Sequence, residues 1–351
     1  MRIGFFSDSY FPEFDGVTYT LKAWKERLEE RGHEVYIIYP ESEEYEPQEN
    51  EIPVRSVSNP FYSGYNIPVP VFRDEYPDLD VVHCHSPATL GISGLRFARK
   101  NDVPAIYTHH TPIEEYFEQS VHSKKISAGL EKIYVPLENF FLEKFDVLTA
   151  STPEPRRPVD FRQLPVGIDM QFFRPSEEKF FDEEDVERPV AGYSGRISME
   201  KNPCELVEMA EKFDGTVVVV GEGPLKDKLV EKAPQNVVFH DFLEREDLPK
   251  FYSDIDVFVT ASTGDTLGLS TLEANACGTP VVAPDAIPFE NTIESENGIL
   301  YDSGDVEAFK NKAEKASEKS FDTRSAVEEY SLSKTIDELE EIYEDKKDAS
   351  R

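Results

Sequence analysis

Two cations stand five residues apart in SGRISMEKN, Arg196 and Lys201, just after a short β-like run. Arginine offers a flat fork of N–H donors and lysine a compact point charge, a pair suited to a diphosphate. In a chain this poor in cations we take the phosphate reading over the alternative, surface cations paired with neighbouring carboxylates. Farther along, STGDTLGLSTLEANACGTPVVAPD (262–285) runs from a strand end through a small-residue loop into an alanine-rich helix and another strand. The loop from Asp265 to Gly268 feeds a helix start whose N–H groups and positive dipole end favour an anion. Gly268 permits close backbone approach. Glu273 follows Asp265 by eight residues, about two helical turns, so the two carboxylates serve different parts of one extended ligand rather than forming an acid–base pair. The alternative makes Asp265 a helix cap and Glu273 solvent-facing. Because Leu272, Ala274 and Ala276 imply a buried helix, Glu273 needs a polar partner, which we assign to a ligand hydroxyl.

The first half has weaker signals. DSYFPEFDGVTYTL sets Asp15 and Gly16 between a strand and a helix, where a glycine loop could approach a phosphate or an acceptor. VVHCHSP and YTHHTP bring His83, His85, His109 and His110 to strand ends. Strand alternation sends His109 and His110 to opposite faces and separates His83 from Cys84, which argues against a metal centre. One histidine donating to a sugar or phosphate, with the other three structural, is the reading adopted. Cys84, Cys204 and Cys277 sit in apolar runs and are expected to be reduced core thiols. No metal and no cofactor are expected.

What must hold these residues is a repeated pattern of strand, small-residue turn and helix, an α/β chain of parallel-sheet units. Strands are predicted at RIGFFS (2–7), EVYIIYP (34–40), IPVRSVS (52–58), DVVHCHS (80–86), PAIYTHH (104–110) and DVLTAS (146–151). The pattern restarts at PVAGYSG (189–195), TVVVVGEG (216–223), NVVFHDF (236–242), DVFVTAS (256–262) and PVVAPD (280–285). Two Rossmann-like domains follow: 1–168, a linker over 169–188, and 189–322, with a C-terminal helix and tail over 323–351. The helix, predicted over 323–347, carries Leu332, Ile336, Leu339 and Ile342 and should pack on the back of either domain.

The chain has 351 residues and 70 acidic against 37 basic side chains. An anionic surface of this kind disfavours nucleic acid. It suits a salt-rich cytoplasm, the reading preferred over an ordinary acidic mesophile. No apolar run of membrane-spanning length and no signal-peptide pattern occur, so a soluble cytoplasmic protein is expected. Tyr116, Phe117, Lys124 and Lys125, followed by Leu130, Ile133, Tyr134, Leu137, Phe140 and Phe141, suggest a peripheral contact with a membrane; a core-packing helix explains the same pattern equally well.

Taken together, the DG before a helix, THHT, PVGID, GRISMEKN, GEGP, DFLEREDLPKFYSDIDVFVTAS and DTLGLSTLEANACGTPVVA resemble glycosyltransferase family 4, the retaining GT-B enzymes, over nearly the whole chain. THHT and HSPATLG look most like the branch acting on membrane lipids. The resemblance implies two domains facing across a cleft and a hexose moved from a UDP- or GDP-linked sugar to a lipid or glycan acceptor. It makes His110 the histidine near the transferred sugar, and Arg196 and Lys201 the diphosphate-binding cations. Asp265 and Glu273 fall at the ends of the EX7E motif, on donor sugar and ribose respectively. Leu267, Gly268 and Leu269 would offer backbone N–H groups, Gly16 would approach the donor, and Phe242 and Leu243 would lie beside the base. Asp265 departs from the family's glutamate by one methylene, which bears on sugar positioning. A nucleotide-sugar epimerase of the same fold and a non-catalytic nucleotide-sugar-binding module are the competing readings.

Overall fold

The computed structural model describes residues 1–349 except 14–15, 59–65, 70–75, 111–123, 152–158, 183–185 and 266, together with the side chains of Ser58 and of 124–131. The chain divides into two compact units, one of Met1–Gly167 with Ser333–Arg351, the other of Ile168–Leu332.

In the first unit the strands are β1 (Arg2–Phe6), β2 (Glu34–Pro40), β3 (Glu51–Val54), β6 (Val81–Cys84), β7 (Ala105–His109), β8 (Val147–Ala150) and β9 (Arg162–Gln163). They form one parallel sheet in the order β3-β2-β1-β6-β7-β8-β9. Helices α1 (Gly16–Glu30), α2 (Thr89–Asn101) and α3 (Lys124–Leu142) connect them. The predicted strand 52–58 is two elements: Arg55 interrupts it, and β4 (Ser56–Ser58) leaves the main sheet to pair antiparallel with β5 (Asn66–Pro68).

The second unit is a parallel sheet in the order β12-β11-β10-β13-β14-β15. Its strands are β10 (Val190–Ser194), β11 (Thr216–Val220), β12 (Val237–His240), β13 (Val257–Val259), β14 (Val281–Pro284) and β15 (Gly298–Tyr301). Val217 to Val220 are all buried, as continuous apolar runs covered on both faces should be. Between them lie α4 (Pro203–Ala210), α5 (Lys226–Val230), α6 (Leu248–Asp254), α7 (Leu269–Ala276), α8 (Phe289–Thr292), α9 (Val306–Glu318) and α10 (Thr323–Ala326). Both sheets reverse direction of travel at their first strand, β1|β6 and β10|β13. That switch point opens a crevice beyond the carboxyl ends of the strands, where open α/β sheets take ligands.

The described residues of 169–188 belong to the second unit. Phe173 and Phe181 are buried there, and the buried Asp254 carboxylate accepts from Phe180 N (2.9 Å), Phe181 N (3.0 Å), Lys179 Nζ (3.0 Å) and Arg188 (2.6 Å). Burial pushes the Asp254 carboxyl up, but these bonds outweigh it and hold the group below its ordinary value. Asp256 receives Val190 N at 2.7 Å and Arg188 at 3.0 Å, so Asp254 and Asp256 together clamp the start of β13.

The final helix, α11, spans Leu332–Ala349 and starts later than the sequence suggests. Ile168 N bonds Tyr330 O and Leu332 N bonds Ile168 O, both at 2.8 Å, which diverts backbone groups that a continuous helix would need. Its Ile336, Leu339, Ile342 and Tyr343 are buried against the first unit. Arg31 reaches Asp337 (2.6 Å) and Glu340 (2.5 Å), and Lys347 reaches Asp80 (3.0 Å).

Cys84 and Cys277 are buried, whereas Cys204 is exposed, against expectation. The phase of α4 turns Cys204 and Glu208 outward and Glu205, Leu206 and Met209 inward. The buried Glu205 carboxylate accepts from Tyr301 OH (2.9 Å) and Gly304 N (3.0 Å).

Candidate active site

Loops leaving β10 and β13 meet at the switch point of the second sheet. The first is shaped by backbone contacts with the GEGP turn: Gly195 N bonds Val220 O (3.1 Å), Ile197 N bonds Glu222 O (2.8 Å) and Leu225 N bonds Ile197 O (3.1 Å). Gly221, at φ +143°, makes this possible, because a Cβ there would stand 2.0 Å from Gly195 O. Tyr193 OH adds a bond to Arg196 O at 3.0 Å, leaving the Arg196 side chain exposed at the loop crest.

A 3₁₀ turn, Met199–Lys201, carries Lys201 inward to an ion pair with Asp265. Ser262 Oγ donates to Glu200 O at 3.4 Å and further joins the two loops. Lys201 and Asp265 are both about four-fifths covered, so this pair is less screened than a surface one. An ammonium has three donors, and Asp265 takes one of them.

Asp265 is followed by Leu267, which is buried, and by Gly268 in the left-handed region (φ +71°) at the start of α7. A Cβ at Gly268 would meet Phe289 at 2.6 Å, so the turn is specific to glycine both conformationally and sterically. Thr271 Oγ1 and Thr271 N close the turn on Gly268 O at 2.6 and 3.0 Å. Leu269 is half-buried in the first turn of α7, where helix N–H groups have no partner four residues back.

Glu273 lies one further turn into α7. Its partner in the structure is Tyr252 of α6, whose OH donates at 2.9 Å. Burial raises the Glu273 carboxyl to about 7, with Tyr252 and the Arg245 charge opposing the shift. The partner is thus a tyrosine of the protein, where the sequence reading assigned a ligand hydroxyl, and the group is poised between its two protonation states near neutrality. Phe242 is 62% exposed and Leu243 half-buried, in the loop following β12.

Within this unit the structure therefore brings together Arg196, Lys201, Asp265, Leu267, Gly268, Leu269 and Glu273. It also gives roles to two residues that the sequence reading assigned none: Gly221 of the GEGP turn, which seats the Arg196 loop, and Tyr252, which holds Glu273. A glycine directly after four valines was the available signal for the first; for Tyr252 there was none short of the fold.

The first unit carries a second polar cluster at the carboxyl ends of β6 and β7. His83 Nδ1 bonds Tyr343 OH (2.7 Å), and His83 Nε2 bonds Thr108 Oγ1 (2.6 Å), which continues to Thr149 (2.6 Å). His85 Nδ1 lies 3.0 Å from His110 Nε2, with the rings stacked at 5.3 Å. Trp24 covers them at 5.7 Å from His85 and 6.3 Å from His110. Burial lowers all three histidines, His83 and His85 far below their ordinary range and His110 to about 3, so the rings are neutral. His109 turns the other way, edge-on to Phe161 at 5.7 Å, and Cys84 joins the opposite core, as strand alternation requires. Asp8, after β1, accepts from Leu90 N at 2.8 Å and is pushed up to about 6 by burial. Gly16 is exposed at the first position of α1, and Asp15 lies outside the described residues.

The model for group 1 glycosyl transferases matches residues 175–334, and the model for glycosyltransferase family 4 matches residues 14–158. The chain belongs to glycosyltransferase family 4. It is similar to an alpha-monoglucosyldiacylglycerol synthase of Streptococcus pneumoniae, 29% identical over 86% of this chain and 75% of the relative. It is also similar to a GDP-mannose-dependent alpha-mannosyltransferase of Mycolicibacterium smegmatis, 28% identical over 86% and 84%. In fold it matches sucrose-phosphate synthase from Thermosynechococcus elongatus, with a TM-score of 0.76 at 18% identity over 98% of each chain. The protein is thus a GT-B glycosyltransferase with two Rossmann-like parallel sheets. The epimerase and binding-module readings gain nothing from these relatives.

Proposed function

We propose that this family 4 enzyme moves a hexose, with retention at the anomeric carbon, from a UDP- or GDP-linked sugar to a hydroxyl of a membrane lipid. The observation that carries the donor half is the convergence of Lys201, Asp265 and the Gly268 turn at one sheet switch point, with Arg196 on the adjoining crest. Arg196, Lys201 and the first turn of α7 take the diphosphate, and they stabilise the charge that develops as the bond from anomeric carbon to phosphate oxygen breaks. Asp265 divides its carboxylate between Lys201 and the donor sugar. Glu273 accepts from the ribose, and Phe242 flanks the base beside Leu243. The acceptor oxygen bonds the anomeric carbon, and its proton passes to a donor phosphate oxygen. His110, neutral and oriented by His85, donates toward the sugar.

The lipid half is supported by the diacylglycerol product in the name of the streptococcal relative. Both relatives are named for alpha products, which retention yields from alpha-linked donors. Incubation of the enzyme with labelled UDP-glucose or GDP-mannose and a diacylglycerol-containing lipid extract tests the proposal. Transfer of label to lipid is expected, and Lys201→Ala should reduce it by about two orders of magnitude or more while the protein stays folded. An unchanged rate in that variant would remove Lys201 from the mechanism, and label released only as free sugar would overturn the lipid acceptor.

A further inference from the structure

The buried histidines at the carboxyl ends of β6 and β7 can be assigned their protons one by one. His83, His85 and His110 are neutral, so each carries a single N–H. Which nitrogen holds it is set by what the other nitrogen meets. Thr149 Oγ1 donates to Tyr107 O at 3.3 Å and has no second proton to give. Thr108 therefore donates to Thr149, and His83 Nε2–H to Thr108, both at 2.6 Å. That leaves His83 Nδ1 bare, to accept from Tyr343 OH at 2.7 Å. His83 is thus the Nε2–H tautomer, with both nitrogens engaged.

His85 lies against this ring, centroids 4.2 Å apart, and its backbone N–H is tied to Phe6 O at 2.8 Å. Its Nδ1 stands 3.0 Å from His110 Nε2. Its Nε2 is sealed in the core and has no partner among the described residues. The neighbouring rings explain why. Both nitrogens of His83 are taken, Phe5 at 5.0 Å offers only hydrocarbon, and Trp24 Nε1–H is committed to Val166 O at 2.7 Å. An orphaned buried donor is rarer than an orphaned acceptor, which puts the His85 proton on Nδ1 and leaves Nε2 as a bare lone pair. His110 Nε2 then accepts, and the one proton of His110 stands on Nδ1. No described residue bonds that Nδ1, and unlike His85 Nε2 it is not sealed.

We propose that His85 is a positioning residue: by donating from Nδ1 to His110 Nε2 it holds His110 as the Nδ1–H tautomer, with its donor on the edge left open for a ligand. This rests on the reading above in which His110 donates toward the transferred sugar, and it names the residue that makes His110 a donor there. Without the His85 proton, His110 is free to carry its own on Nε2 and to turn a lone pair outward instead.

Long-range proton–nitrogen NMR of the full chain, carrying isotope-labelled histidine at neutral pH, reads the tautomer of each ring. The expected forms are Nδ1–H for His85 and His110 and Nε2–H for His83. His110 found as Nε2–H would overturn the proposal, and the native spectrum decides this even where a variant fails to fold. His85→Leu removes the donor; it should move part of the His110 signal to the Nε2–H form and lower kcat/KM about tenfold. His85→Asn, whose side-chain N–H can stand where Nδ1–H does, should keep His110 in the native form and recover most of the activity. A folded His85→Leu protein with His110 in its native tautomer would overturn the proposal, as would the same shifted His110 signal in both variants. A tautomer that shifts in His85→Leu with kcat/KM unchanged would sustain the His85–His110 pairing and sink the donation to the sugar instead.

Discussion

At the scale of single residues, the proposed donor site holds carboxylates that are not all in the same state. Asp265 is matched by the Lys201 ammonium, whereas Glu273, met by a neutral phenol and raised to about 7, changes charge near neutrality. A carboxylate accepts a ribose hydroxyl more strongly when ionised. Donor affinity should therefore rise as pH increases through about 7 in the native enzyme, and Glu273→Gln should bind more weakly with no such dependence. Calorimetric titration with the nucleoside diphosphate from pH 6 to 8 checks this, and a native enzyme whose affinity is flat across the range would contradict the assignment. The same residues mark what could be read without a structure. That Arg196, Lys201, Asp265 and Gly268 gather at one sheet switch point was legible, because their spacing ties them to the ends of β10 and β13. Tyr252 was not, because its contact with Glu273 joins two helices twenty-one positions apart.

At the scale of elements, most strands were legible because buried parallel strands are continuous apolar runs. β5, β9 and β15 were missed: β5 is three residues ending in a proline, Asn66–Pro68, β9 is two exposed residues, Arg162 and Gln163, and β15, GILY, begins with a glycine and is only partly buried. The point where α11 starts was also hidden, since the pairing with Ile168 that sets it lies far away in sequence. α11 reaches the core of the first sheet through Tyr343 on His83, and this fixes an acid sensitivity. A histidine whose folded pKa is depressed contributes stability at high pH that is lost as pH falls below its unfolded value of about 6.5. Three such rings, His83, His85 and His110, give a slope of up to about 4 kcal/mol per pH unit. Asp8, raised to about 6, acts in the opposite sense and offsets about one third of this between pH 6 and 4. The first unit should therefore unfold between about pH 6 and 4, ahead of the second. Trp24, the chain's single tryptophan, lies against this cluster and reports it. Its fluorescence should show an early acid transition, moved to lower pH in His85→Gln; a Trp24 signal unchanged down to pH 4 would refute the buried neutral cluster.

At the scale of the whole molecule, a net charge of −33 must be accommodated by two compact units. Self-repulsion acts over the Debye length, about 10 Å at 0.1 M salt and about 3 Å at 1 M. Raising KCl over that range should lift the melting temperature by about 5 °C or more, as scanning calorimetry can establish; a melting temperature indifferent to salt would remove the saline reading of the composition. The fold itself was legible at this scale because the strand–helix pattern restarts at residue 189, and one parallel sheet cannot absorb two such series.

The central claim is that a sugar nucleotide's diphosphate is bound where the β10 loop, the β13 loop and the start of α7 meet. A crystal structure with UDP or GDP, whichever binds, tests it most directly. Phosphate oxygens are expected within hydrogen-bonding distance of Arg196, Lys201 and a backbone N–H between Leu267 and Leu269. Phosphates bound elsewhere on the chain, with Lys201 still paired only to Asp265, would contradict it.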